Sequence, residues 1–225
     1  MRPLTSLSLF LVLLLAFLLP LLFYQLMLAG LAKLSLSPGT ALMLMIAIIV
    51  GGMVNIPVKR ISRGTAVDVH PLAVYGFSGM LPQLRRARRE TVIAVNVGGC
   101  LIPAALALYE LFHLLSIDKS LLTPVVLVTA ANIALCYTVA RPVPGVGIVM
   151  PGLVPAIAAA VLAFLLAREQ AAPVAFIAGV AGPLIGADLF HLREIGRIAT
   201  GIASIGGAGT FDGIVLSGIV AAYLA

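Results

Sequence analysis

The chain has 225 residues, of which 62% are hydrophobic and 10% charged, with a net charge of +6 and a mean hydropathy of +1.19. A soluble domain carries about 25% charged residues, so this composition excludes a chain that faces water on all sides. It leaves an all-α, polytopic transmembrane bundle forming a single integral membrane domain, residues 1–225.

Seven apolar segments follow in chain order: Leu7–Leu31, Thr40–Val58, Val92–Leu115, Leu121–Ala140, Val146–Ala167, Pro173–Phe190, and Gly207 to the C-terminus. Each approaches the roughly 20 residues that a helix needs to cross about 30 Å of hydrocarbon. Period-two alternation is missing, which argues against a barrel. The first run is too long for the apolar part of a signal peptide and lacks a small-x-small cleavage site, so it is read as a span.

Orientation follows from Lys and Arg. With the N-terminus inside and the C-terminus outside, the inner loops hold eleven of the fourteen basic residues, and only Lys33, Lys119 and Arg168 lie outside. The expected location is the cytoplasmic membrane of a cell. The bilayer is the expected partner; the basic excess sits beside spans, so no nucleic acid is expected.

One longer inner loop, about 59–91, carries Val67-Asp68-Val69-His70 and Ala73-Val74-Tyr75, an alternation that fits a short β-hairpin. Its run Arg85-Arg86-Ala87-Arg88-Arg89 suits anionic headgroups. Leu101-Ile102-Pro103-Ala104 echoes Leu153-Val154-Pro155-Ala156, and Pro57-Val58 echoes Pro142-Val143, an offset of two spans that hints at a parallel repeat.

Ionisable groups in hydrocarbon are costly and are candidate sites. Asp188 lies near the inner end of the sixth segment and Asp212 one to two turns from the inner start of the seventh. Two carboxylates at one depth repel if both are charged; sharing a proton places an acid and a base together. Asp188 and Asp212 are therefore the candidate catalytic residues. Gly209 and Gly213 beside Asp212, and Gly182 and Gly186 before Asp188, allow close approach of backbones. Asn55 and Asn96 end and begin spans on the same side, flanked by Gly51-Gly52 and Gly98-Gly99. Pro142, Pro144 and Gly145 interrupt any helix between Arg141 and Gly147. Asn55, Asn96, Pro142, Pro144, Gly145, Gly209 and Gly213 are thus expected to line a polar cavity open to the cytoplasm. Glu110 and His113, three apart, read as an interfacial pair. Cys100 and Cys136 lack metal-ligand spacing and read as small buried side chains; no metal and no cofactor is expected.

Ala94-Val95-Asn96-Val97-Gly98-Gly99, Arg141-Pro142-Val143-Pro144-Gly145-Val146-Gly147, Ile185-Gly186-Ala187-Asp188 and Ala203 to Gly213 resemble a family of archaeal and bacterial multi-pass membrane proteins, domain of unknown function 1614. That resemblance implies no particular activity. Gly209-Thr210-Phe211-Asp212-Gly213 is also similar to the Gly-x-Gly-Asp segment of presenilin-like and signal-peptide-peptidase-like intramembrane aspartyl proteases, and Ala187-Asp188 stands where their Tyr-Asp would be. Phe211 and Ala187 depart from those motifs, and no Pro-Ala-Leu follows. This second resemblance implies that Asp212 and Asp188 cut a membrane-spanning peptide. Three functions follow from the same residues: a hydrolase of that type, a transporter or channel that takes a proton or small ion, and a membrane scaffold without chemistry.

Overall fold

A computed structural model describes residues 6–62, 90–143, 147–195 and 202–225. Helix α1 (Ser6–Ala32) leads into α2 (Pro38–Gly51). Strands β1 (Asn55–Ser62) and β2 (Glu90–Asn96) follow, then a π-helical turn, Val97–Leu101, that opens α3 (Ile102–Ile117). Helix α4 (Leu122–Val139) leads to the short strands β3 (Arg141–Val143) and β4 (Gly147–Val149). Helix α5 (Leu153–Leu166) returns to α6 (Ala171–Ala181), which continues as a π-helix over Gly182–Leu189. A single turn, α7 (Leu192–Ile195), strand β5 (Ile202–Ile205) and α8 (Gly213–Leu224) complete the order.

Among the described residues the chain is mostly helical, and four helical stretches are long and apolar enough to cross a membrane: Phe10–Ala32, Val97–Ile117, Lys119–Val139 and Arg168–Glu194. The other three apolar helices are shorter. Helices α2 and α5 have 14 residues and α8 has 12, so at 1.5 Å per residue they reach about 18–21 Å.

The shortfall has a local cause. Apolar character continues past Gly51, but the segment Asn55-Ile56-Pro57-Val58 is a strand, and Val92 to Asn96 is its antiparallel partner. The expected second and third spans therefore overrun their helices by a strand each. β-branched residues favour the pleated form, and Pro57 supplies no amide for a helix. β5 adds in parallel to the other side of β2, giving a three-stranded sheet in the order β1-β2-β5. The bundle is thus not purely α-helical. The hairpin anticipated at 67–75 lies outside the described residues.

The two sequence echoes occupy equivalent units. Pro57 lies in β1 and Pro142 in β3, each an antiparallel first strand; Pro103 and Pro155 are buried at the start of the helix that follows. Helix–strand–strand–helix occurs twice, as α2–β1–β2–α3 and α4–β3–β4–α5.

α6 is the centre of the bundle, buried on nearly every side by α3, α4, α5 and α8. Its extension is π-helical because Pro183 has no N–H for the Gly179 carbonyl and its ring would crowd that oxygen. Gly182 lies against Asn132 and Cys136 of α4, and Gly186 against the Ile133 carbonyl and Cys136. The paired glycines thus seat this stretch on α4. His191 closes its end, with Nδ1 at 2.8 Å from the Ala187 carbonyl and 3.2 Å from that of Gly186.

The alternating helices give the bundle two distinct ends. At one, Lys33 donates to the Tyr223 carbonyl at 2.6 Å, and the α3–α4 and α5–α6 turns carry Lys119 and Arg168. In the former turn the amide and hydroxyl of Ser120 hold the exposed Asp118 carboxyl below the usual carboxylate range. At the other end are the sheet, the β3–β4 hairpin and the loop that leads into α8.

Candidate functional site

The sheet end collects most of the polar groups singled out above. Asn96 is fully buried at the end of β2. Its Nδ2 donates to the Gly52 carbonyl at 2.8 Å and to Asn55 Oδ1 at 3.1 Å, while its Oδ1 accepts the Gly99 amide at 2.7 Å and caps the π-helical turn. Ser204 of β5 donates to the same Asn55 oxygen at 2.6 Å. One amide pair therefore ties the end of α2, the start of α3 and the third strand together. Asn55 itself is exposed.

The loop from Gly206 to Asp212 packs onto this cluster through glycine. Gly206, at φ +70°, lies against Gly99, and Gly209, at φ +60°, against Gly52. A side chain at Gly206 would meet the Gly99 carbonyl carbon at 2.5 Å. The loop ends at Asp212, whose extended backbone makes it the N-cap of α8. Its Oδ1 accepts the Ile214 amide at 3.0 Å and its Oδ2 the Ala208 amide at 3.3 Å. The first of these is the usual cap bond to the second helical residue.

Asp188, in the π-helical extension of α6, faces the Gly206 amide at the start of the same loop. Asp188 and Asp212 lie within electrostatic reach of each other, and Cys100 of the π-helical turn is near both. Both aspartates are half-buried, and among the described residues no hydrogen bond joins them. Gly213 comes within 3.5 Å of Met150, just after β4, if given a Cβ. Gly209 and Asp212 of this loop thus lie at the same end as Asn55, Asn96 and Asp188, and Gly213 directly follows the loop.

Pro142 is placed differently. It is exposed in β3, paired with Ile148, and makes no described contact with the loop. Pro144 and Gly145 lie outside the described residues. No group of three or more His, Cys, Asp or Glu could hold a metal ion among the described residues.

Sequence reasoning missed Ser204 and the placement of Cys100. The strand signal is present in Ala203-Ser204-Ile205, a period-two pattern ahead of Gly206-Gly207, but it is only three residues long. The Glu110–His113 pair is corrected. Glu110 is fully buried rather than interfacial, and no ion pair joins it to His113 among the described residues.

Long apolar helices enclosing buried amide and carboxyl groups define a multi-pass membrane protein. Over residues 49–224 the chain matches the family described as Protein of unknown function (DUF1614), and it belongs to that family. α1 and most of α2 precede the matched stretch. No curated protein and no solved structure matches the chain, and the likeness to intramembrane aspartyl proteases gains no support from the comparisons.

Proposed function

We propose that the protein binds a proton or a small monovalent cation at Asp188 and Asp212, as part of a transport or channel function in the cytoplasmic membrane. The observation that carries this reading is the loop Gly206–Asp212, which draws both carboxylates to the end of the bundle where α2, α5 and α8 stop short. Short helices meeting non-helical backbone at a polar site are a recurring way to hold ions within a membrane. Each carboxylate oxygen of Asp212 accepts one backbone amide and keeps a lone pair for a further partner. In proteoliposomes with an imposed proton or sodium gradient, the wild type should collapse the gradient faster than empty vesicles. Asp188→Asn should lose that flux. Equal flux in the variant would sink the proposal.

The hydrolase reading uses the same two groups. Both oxygens of Asp212 already accept backbone amides, one in the α8 cap and one in the loop, which suits a fixed ligand better than a base that hands protons back and forth. Cleavage of a membrane-spanning peptide by wild type but not by Asp212→Asn would favour hydrolysis instead.

The sheet end faces the cytoplasm in this proposal, and the chain crosses seven times, the short helices being completed by strands and loop. Lys59, Arg60, Arg141 and Arg193 stand at that end, against Lys33, Lys119 and Arg168 at the other. A reporter fused after Ala225 should be active only outside, and one inserted beside Arg86 only inside. The opposite pattern would reverse the orientation.

A further inference from the structure

Glu110 is a buried acid that the site at the sheet end does not use. It lies in α3 toward the opposite end of the bundle, its exposure is 0%, and neither carboxyl oxygen has a hydrogen-bond partner of normal geometry. An apolar side chain would fill this position without the cost of burying a carboxyl. A buried carboxyl without a partner is costly as a neutral group and far more so when charged.

Its surroundings are specific. Ser35, in the α1–α2 connection, turns its hydroxyl and amide toward the Glu110 carboxyl. Ser35 also forms part of the wall of a cavity of about 450 Å³, together with Ser37, Thr40, Ala105 and Tyr109. Ser37, Thr40 and Tyr109 are exposed, so the cavity opens at the Lys33 end. The Tyr109 hydroxyl reaches the Ser35 carbonyl at 3.4 Å across it. His113, one turn further on α3, is the titratable group whose charge reaches Glu110 among the described residues. Among the described residues no group of three or more His, Cys, Asp or Glu gathers at Glu110, whereas hard cations take six or more oxygen ligands.

We infer that Glu110 is a proton-exchange site, reached from the Ser35–Tyr109 cavity and separate from Asp188 and Asp212. The carboxyl O–H gives its proton to water entering at Ser35, and the carboxylate takes one back by the same route. The inference stands whether or not the two aspartates bind an ion, because it concerns the other end of the bundle.

Infrared difference spectra of the full chain in lipid test it directly. Wild type should show a carboxylic C=O band that is missing in Glu110→Gln and displaced, not missing, in Glu110→Asp. Transfer to D₂O should shift this band, and Ala105→Trp, which crowds the cavity, should slow that shift. Asp188→Asn should leave the band in place, which separates this result from the fate of the aspartate site. A spectrum with no Glu110 carboxylic band at any pH, a band that never shifts in D₂O, or an unchanged rate in Ala105→Trp would each overturn the inference.

Discussion

Gly98→Ala is expected to destabilise the protein by about 3 kcal/mol or more and to remove most of the folded material recovered in detergent. The added Cβ would run into the Ile48 carbonyl and the Gly52 amide, both main-chain atoms at the end of α2. A flexible side chain could turn aside, but two backbones locked by the Asn96 bonds to Gly52 and Gly99 cannot. Relief would require α2 and the π-helical turn to separate, which would break those bonds as well. Two control substitutions isolate the steric cause. Gly39→Ala and Gly152→Ala meet nothing within 4 Å, and in or beside the first turn of a helix they should be neutral or stabilising by about 0.5 kcal/mol. Thermal unfolding followed by loss of monodisperse protein measures all three. A Gly98→Ala midpoint equal to that of the controls would show that the contact is not a constraint.

Asp212 is expected to separate a structural role from a chemical one. Asparagine caps a helix about as well as aspartate, so Asp212→Asn should keep the cap bond from Ile214 and give up only the longer bond from Ala208, because its single carbonyl oxygen replaces two carboxylate oxygens; stability should fall less than in Asp212→Ala. Asp212→Ala should lose both bonds and cost about 1 kcal/mol for the cap. Both should abolish flux, because both remove the charge that faces Asp188. Ion flux and thermal midpoint, measured on the same preparations, give four numbers. If Asp212→Asn is stable and still conducts, Asp212 is only a cap. If Asp212→Ala alone fails, and fails in both assays, its part is structural.

The long helices were legible because hydrophobic length alone identifies them. Lys119–Val139 differs from the expected span by only a residue or two, and Arg168–Glu194 extends the expected one by a few residues at each end. The short helices were not legible in the same way. A hydropathy average cannot distinguish Ile-Ala-Ile-Ile-Val in α2 from Ile-Pro-Val in β1, and it passes through Gly51-Gly52 without a break. The strands were encoded in β-branched residues and in Pro57, but the membrane assumption favoured helix. The gathering at the sheet end was partly legible, since Asn55, Asn96 and Asp212 are isolated polar residues beside glycine. Pro142 was misleading: it does break the helix, but it leads into an exposed strand, β3. Glu110 could not be placed from spacing, because a neighbouring His113 at i+3 reads as a partner whether or not the rotamers meet.

The parallel pairing of β2 with β5 has a kinetic consequence. Ile93 bonds in register with Ala203 and Val95 with Ile205, so two strands made far apart in the chain must wait for one another. Everything between them, including the four helices α3 to α6, has to be inserted before β5 can zip onto its neighbour. Contacts so distant in sequence are slow to form, and a newly made β2 stands with one edge open until then. The Asn55 oxygen has no Ser204, the Gly99 face has no Gly206, and Asp212 has no neighbour until that moment. The polar end of the molecule is therefore completed only once β5 is made, after α1 to α6 are in place, and a chain stalled before that point holds those helices without the Gly206–Asp212 loop.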